Sequence, residues 1–364
     1  MTILGVDHVE FSVADARQTA NSLCRVFGFR VLGRGGPESG LADARGVLLG
    51  QGAARVRLTS GLHGAHPASG YVARHGDGVS AVAFRTDDVA AAYADAVAAG
   101  AAPLAPPTRT EDAHGSVTCA TVSGFGDVVH HLIERQGARD GLPGIALEPD
   151  AAGSAPAPAG LVHGIDHAAV CVPGGSLDAI VPFYQKAFGF RLIFEEYIEV
   201  GAQAMFSKVV QSPSGAATFT FLEPDLSHRA GQIDDFLAWH DGPGVQHLAL
   251  STHDIAGTVA ELGARGVEFA PTPPSYYAML GERLDDADVP VERLAPLGIL
   301  VDRDHWGQMY QIFAKSTHIR RTYFVELIDR HGARTFGMSN IPALYAAKDR
   351  ELAEIREMTG TTHA

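Results

Sequence analysis

The sequence predicts an α+β protein of two domains, each made of paired βαβββ modules whose sheets curl into an open barrel around a cavity. Three observations predict this class. The chain of 364 residues repeats itself with a period near half its length. Each half begins with a short alternating strand, followed by a helix and several short strands. A stretch rich in Gly, Pro and Ala lies between the two halves.

The repeat consists of matching segments that occur in the same order in both halves. Residues 5–8 match residues 164–167, residues 75–101 match residues 240–266, and residues 131–135 match residues 326–330. We therefore expect three parts, which are an N-terminal non-catalytic domain over 1–136, a linker over 137–160, and a C-terminal catalytic domain with a closing helix over 161–364.

The first strand and the capped helices follow from local patterns. Val9, Phe11 and Val13 alternate with polar residues, as in a strand with one buried face. Candidate caps frame the Ala-rich helix of each half. They are Asp87 or Asp88 with Gly100 in the first half, and Asp254 with Gly263 or Gly266 in the second.

The amino-acid composition limits the kinds of molecule that the protein can bind and the compartment that it suits. The chain has 28 basic and 42 acidic residues and a net charge of −14, so it would repel nucleic acid, and we expect small or neutral partners. Its three cysteines lack C-x-x-C spacing, which favours neither disulfides nor a zinc-thiolate site and fits a reducing cytoplasm. Because no apolar run reaches roughly 18 residues, we expect neither export nor membrane insertion.

Three polar residues lie within apolar strands of the second half. They are His167, His247 and Glu326. A buried unpaired carboxylate costs several kcal/mol, so Glu326 must titrate, pair or bind a cation. A single strand histidine among the 17 of this chain is usually structural, but three candidates at matching strand positions favour a metal site.

The first half serves as an internal control for this prediction. His8, Ala81 and His131 stand opposite the three candidates, and alanine cannot bind a metal. The second half would therefore carry the site, and the first half would be a scaffold. Two imidazoles and one carboxylate without a thiolate suit Fe(II) with open positions on one face, although zinc accepts the same set.

Several segments of the second half resemble the 4-hydroxyphenylpyruvate dioxygenase family, which includes 4-hydroxymandelate synthase. They are GQIDDFL (231–237), GVQHLALST (244–252), SYYAMLGERL (275–284), GQMYQIF (307–313) and FVELIDRHGARTFGMSN (324–340). The resemblance covers nearly the whole chain. It implies a vicinal-oxygen-chelate fold, Fe(II) held by His167, His247 and Glu326, and O2 as co-substrate.

The two activities of this family share 4-hydroxyphenylpyruvate and differ in the carbon that is oxidised. Leu222 stands where the dioxygenase has Asn, Thr220 stands where it has Pro, and residues 335–341 replace its Gly-rich run. These differences resemble the synthase. They imply oxidative decarboxylation and benzylic hydroxylation to 4-hydroxymandelate and CO2, with homogentisate as the alternative product. The hypothesis is that Leu222 reshapes the pocket and redirects the oxidation.

Further site residues follow from the resemblance. Ser207, Thr220 and Gln311 match pocket positions that could hydrogen-bond the substrate, while Phe336 matches an aromatic wall. Asn340 matches a polar residue at the start of the closing helix, and its position there favours a helix cap over a substrate contact. Each of the others has an ordinary alternative, such as backbone hydrogen bonding, strand bridging or core packing.

Residues 341–358 form the C-terminal segment. Their apolar residues recur at helical spacing, which predicts an amphipathic helix that either lies over the cavity as a lid or only packs against the core. The sequence leaves the oligomeric state open, with the edges of the first module as candidate subunit contacts of a homodimer. The resemblance implies a role in antibiotic biosynthesis. A non-catalytic ligand-binding protein of the same fold is the alternative of another class. A zinc lyase or an extradiol dioxygenase is a third possibility.

Overall fold

The structure of the protein is a computed structural model. It describes residues 2–112, 115–137, 141–149, 160–284, 287–337, 339–344, 346 and 347. None of the helices in these ranges is both long enough and apolar enough to cross a membrane.

The described residues of the first half form one sheet with three α-helices and a 3-10 turn at Pro37–Ser39. Its strands are β1 (Ile3–Ser12), β2 (Arg30–Gly35), β3 (Ala44–Gln51), β4 (Ala54–Gly61), β5 (Gly78–Thr86), β6 (Pro103–Asp112), β7 (Gly115–Ser123), β8 (Val129–Gly137) and β9 (Ala146–Leu147). Its helices are α1 (Ala16–Phe27), α2 (Pro67–His75) and α3 (Val89–Ala98).

The second half forms another sheet, with six α-helices and a 3-10 turn at Ala295–Leu297 in its described residues. Its strands are β10 (Gly164–Cys171), β11 (Arg191–Val200), β12 (Gln203–Gln211), β13 (Thr218–Pro224), β14 (Gly244–Ser251), β15 (Leu300–Arg303), β16 (Gln308–Phe313) and β17 (Phe324–His331). Its helices are α4 (Leu177–Phe188), α5 (Gln232–His240), α6 (Ile255–Ala264), α7 (Pro274–Ala278), α8 (Leu280–Arg283) and α9 (Val291–Leu294).

The strand order confirms the predicted α+β class of paired βαβββ modules. The sheets run β6-β7-β8-β5-β1-β4-β3-β2-β9 and β11-β12-β13-β10-β14-β17-β16-β15. β1 is parallel to β4, the last strand of its own module, and antiparallel to β5, the first strand of the next module. In the same way β10 is parallel to β13 and antiparallel to β14. The short strand β9 comes from the segment predicted as a linker and pairs with β2. The domain boundaries themselves stay a prediction.

The caps of the two long crossover helices follow the sequence pattern. Asp88, rather than Asp87, caps α3 by accepting a hydrogen bond from the Ala91 amide, and Asp254 does the same for α6. Gly100 and Gly266 follow these helices with φ values of 107° and 95°. Only glycine adopts this region without strain, so each helix ends there.

A hydrophobic core is shared by both halves. Phe84 on β5 lies 5.3 Å from Phe188 in α4 and 6.0 Å from Phe219 on β13, measured between ring centroids. All three rings are fully buried. This core fixes one half against the other and covers one face of β10 and β13.

The opposite face of these strands lines the interior of the second sheet. Along β10, Ala168 and Val170 belong to the shared core, whereas Ala169 and Cys171 belong to a smaller cluster with Leu222. This alternation is the period of two expected for a strand. The smaller cluster also contains Phe336 and therefore connects the sheet to the segment that follows β17.

The predicted C-terminal helix is only partly described. Residues 340–344, 346 and 347 are helical, and Ala343 and Ala347 pack into the core formed with α6, α7 and β16. The rest of the predicted helix lies outside the described residues.

Candidate metal centre and substrate cavity

Three predicted metal ligands converge in the second half. The Nε2 atoms of His167 and His247 lie 3.5 Å and 3.3 Å from Oε2 of Glu326. All three residues are buried, and their ligand atoms lie within 4.8 Å of one another. Within the described ranges they form the one group of three or more His, Cys, Asp or Glu side chains placed to hold a metal ion.

Strand register explains this convergence. His167 on β10 is opposite Ala249 on β14, and Ala249 is in turn opposite Glu326 on β17. His247 lies two residues from Ala249, so it shares the same face. The residue opposite His247 is Ala169, whose small side chain leaves room on this face of β10 beside the ligands.

The partners of the two imidazoles orient their Nε2 atoms toward Glu326. Nδ1 of His167 lies 2.8 Å from Oδ1 of Asp166, and Nδ1 of His247 lies 3.3 Å from Oε1 of Gln246. Both oxygens can only accept, so each Nδ1 carries a proton. In neutral imidazole the Nε2 lone pair then remains for a cation, which is the usual arrangement of metal-binding histidines.

The electrostatics of the cluster also favour a cation. Burial alone would raise the pKa of Glu326, but its contacts with His167 and His247 outweigh burial and lower it. Burial lowers the pKa of His247. For His167, hydrogen bonds and charge from Asp166 and Glu326 overcome burial and raise its pKa to about 9. The cluster therefore stabilises positive charge between the carboxylates of Asp166 and Glu326.

The donor set fits a metal ion. Oε1 of Glu326 is buried without a hydrogen-bond partner, a costly state that an additional ligand would relieve. A metal ion that displaces the proton on Nε2 of His167 would meet two neutral imidazoles and one carboxylate, the pattern found in non-haem Fe(II) oxygenases.

The first half has replaced this centre with internal ion pairs. Its strand register places Ala81 and His131 at the positions of His247 and Glu326. Glu10 on the same face lies 3.5 Å from Nε of Arg57 and 3.2 Å from Nε2 of His131. The guanidinium of Arg57 thus supplies the positive charge beside this buried carboxylate.

The remaining predicted site residues lie on the strands around the cluster. Ser207 on β12 is opposite Leu222 on β13, and Thr220 is opposite Ala169 on β10. The side-chain oxygens of Ser207 and Thr220 are buried and have no hydrogen-bond partner, and the same holds for Oε1 of Gln311. Three predicted substrate contacts therefore carry uncommitted polar atoms.

The segment after β17 covers this region. Phe336 approaches His167 edge to face, with ring centroids 5.1 Å apart. Nε2 of Gln311 donates to the carbonyl of Gly337 at 3.2 Å, so one end of Gln311 is committed to this segment. Asn340 is buried, and its side-chain oxygen accepts a hydrogen bond from Tyr276 in α7 at 2.7 Å. Asn340 thus ties the start of the closing helix to α7.

Sequence reasoning missed the residues that orient the ligands. Asp166 and Arg330 both lie in segments that match between the halves, next to a candidate ligand or four residues after it. Their counterparts Asp7 and Arg135 form the same ion pair, so the repeat contained the signal. Gln246 left no such signal because Ser80 stands at its position in the first half.

Comparisons with known proteins identify the family. The chain matches the Glyoxalase/Bleomycin resistance protein/Dioxygenase superfamily over residues 5–134 and 164–310. It is 34% identical to the 4-hydroxyphenylpyruvate dioxygenase of Yarrowia lipolytica, over 96% of this chain and 92% of that protein. It is 32% identical to the Dictyostelium discoideum enzyme of the same name, over 95% and 98%.

Comparison with solved structures leads to the same family. A mutant of 4-hydroxymandelate synthase from Streptomyces coelicolor superposes with a TM-score of 0.86 and 42% identity, over 96% of this chain and 99% of that chain. A TIM barrel/4-hydroxyphenylpyruvate dioxygenase fusion protein shares the fold at 23% identity and a TM-score of 0.71, over 96% and 53%. The vicinal-oxygen-chelate fold predicted from the sequence is confirmed. The chain belongs to the Glyoxalase/Bleomycin resistance protein/Dioxygenase superfamily and, within it, to the family of 4-hydroxyphenylpyruvate dioxygenase-like enzymes.

Proposed function

We propose that this protein is an Fe(II)-dependent oxygenase that converts 4-hydroxyphenylpyruvate and O2 into 4-hydroxymandelate and CO2. The observation that carries the proposal is the buried cluster of His167, His247 and Glu326, with uncommitted polar atoms on the neighbouring strands. The 42% identity with a structure named 4-hydroxymandelate synthase supports the substrate and the product.

His167, His247 and Glu326 would hold the metal. Bound there, Fe(II) would supply the activation of O2. Asp166 and Gln246 keep the two imidazoles in the tautomer that leaves Nε2 free. The carboxylate of Glu326 supplies the negative charge that a divalent cation requires in a buried site.

The uncommitted polar atoms would bind the substrate. A buried polar group without a partner costs about 1–3 kcal/mol, so a ligand that pairs with it gains affinity. Ser207, Thr220 and Gln311 could pair with the carboxylate, the oxo group or the phenol of 4-hydroxyphenylpyruvate. Asn340 would fix the start of the closing helix over this site through its contact with Tyr276.

The apolar lining would choose the carbon that reacts. Leu222 and Phe336 belong to one buried cluster on the cavity side of the sheet. A leucine offers no hydrogen bond to hold the aromatic ring in one position, so the ring would be placed by shape. We propose that this placement brings the benzylic carbon, rather than the ring, closest to the metal. A shift of the substrate near 1 Å is enough to change which carbon reacts.

A product assay tests the proposal. The protein is incubated with Fe(II), ascorbate, O2 and 4-hydroxyphenylpyruvate. The two candidate products are isomers, so they are separated by chromatography against standards rather than by mass alone. We expect 4-hydroxymandelate as the main product and no product from Glu326→Ala. Homogentisate as the main product would overturn the synthase assignment.

A non-catalytic binding protein is the candidate of another class. Metal-loaded protein that consumes no O2 with a panel of 2-oxo acids, yet binds them, would establish it. Metal analysis after anaerobic purification would separate iron from zinc. As further parts of the proposal we retain the division of the chain at residues 137–160, a cytoplasmic location, a homodimer and a role in antibiotic biosynthesis.

A further inference from the structure

Arg330 connects the candidate metal centre to the segment that follows β17. It lies four residues after Glu326 and is mostly buried, with 21% of its side chain exposed. Its guanidinium contacts Asp166 on one side, and two backbone carbonyls and Phe336 on the other. Four of its five N–H donors have an acceptor in these contacts.

The first set of contacts fixes a metal ligand. Nε and Nη2 of Arg330 donate to Oδ2 and Oδ1 of Asp166, each at 2.8 Å. Oδ1 of Asp166 also accepts from Nδ1 of His167 at 2.8 Å. A planar two-point contact sets the plane of the carboxylate, and the carboxylate then sets the rotation of the imidazole.

The second set of contacts fixes the closing segment. Nη1 of Arg330 donates to the carbonyls of Ala333 at 3.2 Å and Thr335 at 2.6 Å. The guanidinium carbon lies 5.0 Å from the centroid of the Phe336 ring, within cation-π range. Phe336 in turn contacts His167, so the contacts form a closed circuit through Arg330, Asp166, His167 and Phe336.

We propose that Arg330 is a positioning residue that sets the orientation of His167 and the place of Phe336 together. It thereby couples the geometry of the metal centre to the closing of the cavity. This inference rests on the proposed function, since it assumes that His167 binds the metal. Lysine cannot replace Arg330 in this role because it has no planar fork for Asp166 and no flat surface for Phe336.

The first half provides a matched control. Arg135 donates from Nε and Nη2 to Asp7 at 2.8 Å and 2.9 Å, and Nδ1 of His8 lies 2.8 Å from Asp7. Nη1 of Arg135 donates to the carbonyl of Gly141, in the segment that follows β8. The same clamp therefore exists in a half without the metal-ligand cluster. Removing the clamp in the first half therefore measures how much it contributes to the stability of the fold alone.

The experiment compares Arg330→Lys with Arg135→Lys in the full chain. For each variant we would measure the thermal midpoint, the dissociation constant for Co(II) under anaerobic conditions, the visible Co(II) spectrum, and the yield of product per O2 consumed. We expect similar losses of thermal stability. Only Arg330→Lys should weaken Co(II) binding, by roughly 10- to 100-fold, change the spectrum and lower the product yield.

Phe336→Leu is the second variant in case Arg330→Lys does not fold. It leaves the contact of Arg330 with Asp166 intact and removes the ring between Arg330 and His167. We expect a smaller loss of Co(II) affinity together with a lower product yield. If Arg330→Lys matches Arg135→Lys in Co(II) affinity and spectrum, or if Phe336→Leu binds Co(II) like the wild type, the inference is wrong. A wild-type protein that forms homogentisate would refute the proposed product, while the Co(II) comparison would still decide the role of Arg330.

Discussion

Leu222 is the residue at which a change of product is easiest to test. It lies on β13 between its neighbours Ser207 and Cys171, and it is 8% exposed. Leu222→Asn introduces an amide that can hydrogen-bond the substrate and moves the ring within the cavity. We expect the ratio of homogentisate to 4-hydroxymandelate to rise by about tenfold, which corresponds to about 1.4 kcal/mol between the two barriers. Chromatography of the products measures the ratio.

Leu222→Met is the control for this prediction. Methionine keeps the volume and the apolar character of leucine, so we expect the product ratio to stay at the wild-type value. An unchanged ratio in Leu222→Asn would show that position 222 does not steer the oxidation.

Glu326 is the residue on which metal binding depends most directly. Glu326→Gln keeps the shape of the side chain but removes its negative charge between two imidazoles. We expect the iron content to fall by at least about tenfold, because a buried divalent cation is then left without a charged ligand. The fold should persist, since the corresponding residue of the first half is His131. Iron per chain and the thermal midpoint measure both effects, and full iron occupancy in the variant would exclude Glu326 as a ligand.

The residues of the candidate site differed in how far the sequence could predict them. His167, His247 and Glu326 could be found because a strand places alternate residues on one face and because the first half supplied a comparison. Arg330 was missed because its two-point contact with Asp166 joins residues 164 positions apart. The repeat matches Arg330 with Arg135, but that match does not show which carboxylate each arginine contacts until the strand register is known.

The segment after β17 is the element that packs against the candidate metal centre through Phe336. Gly337 in this segment has a φ of 67°, and its carbonyl accepts a hydrogen bond from Gln311. A Cβ added at Gly337 would overlap the side-chain amide of Gln311. We therefore expect Gly337→Ala to displace the segment, costing about 1 kcal/mol or more of stability. Iron should stay bound while less product forms per O2 consumed.

Gly189→Ala is the matched control for Gly337→Ala. Gly189, which follows α4, has nearly the same φ, of 68°, but an added Cβ there would contact nothing within 4 Å. Its substitution should carry a similar backbone strain without any change in product yield. If both variants give the same yield per O2, the segment around Gly337 does not shield the reaction.

The accuracy of the prediction also differed between elements. The crossover helices were predictable because Asp88 and Asp254 cap them locally and a positive-φ glycine follows each. The strand β9 was not predictable, because two residues have no periodicity and its pairing with β2 depends on tertiary contacts. An amphipathic pattern alone could not show whether the closing helix is a lid.

At the scale of the whole molecule, the two halves depend on each other through the shared core. The imidazole of His130 on β8 lies in this core, with Nδ1 3.0 Å from the carbonyl of Val82. Its Nε2 lies 2.6 Å from the hydroxyl of Tyr184 in α4. Because the carbonyl accepts from Nδ1, Nε2 must accept the hydroxyl proton. A proton on Nε2 would therefore reverse this hydrogen bond, leave the buried hydroxyl proton of Tyr184 without its acceptor, and place a charge in the apolar core.

This arrangement predicts that acid weakens the fold through His130. Burial lowers the pKa of His130 from 6.5 to about 4, so the unfolded chain takes up a proton before the folded protein does. The stabilisation is fully present above pH 6.5 and is lost as the pH falls toward 4. At pH 5 the loss is about 2 kcal/mol. Urea unfolding at pH 7.5 and pH 5 measures it in the wild type and in His130→Gln.

Glutamine keeps one donor and one acceptor but does not titrate. His130→Gln should therefore lose about 2 kcal/mol less than the wild type between the two pH values, whatever its stability at pH 7.5. Carboxylates that titrate in this range contribute to both proteins and cancel in the comparison. His305→Gln, which changes an exposed histidine, should keep the wild-type dependence. Equal losses in wild type and His130→Gln would place the acid sensitivity outside the shared core and leave the halves joined by contacts that do not titrate.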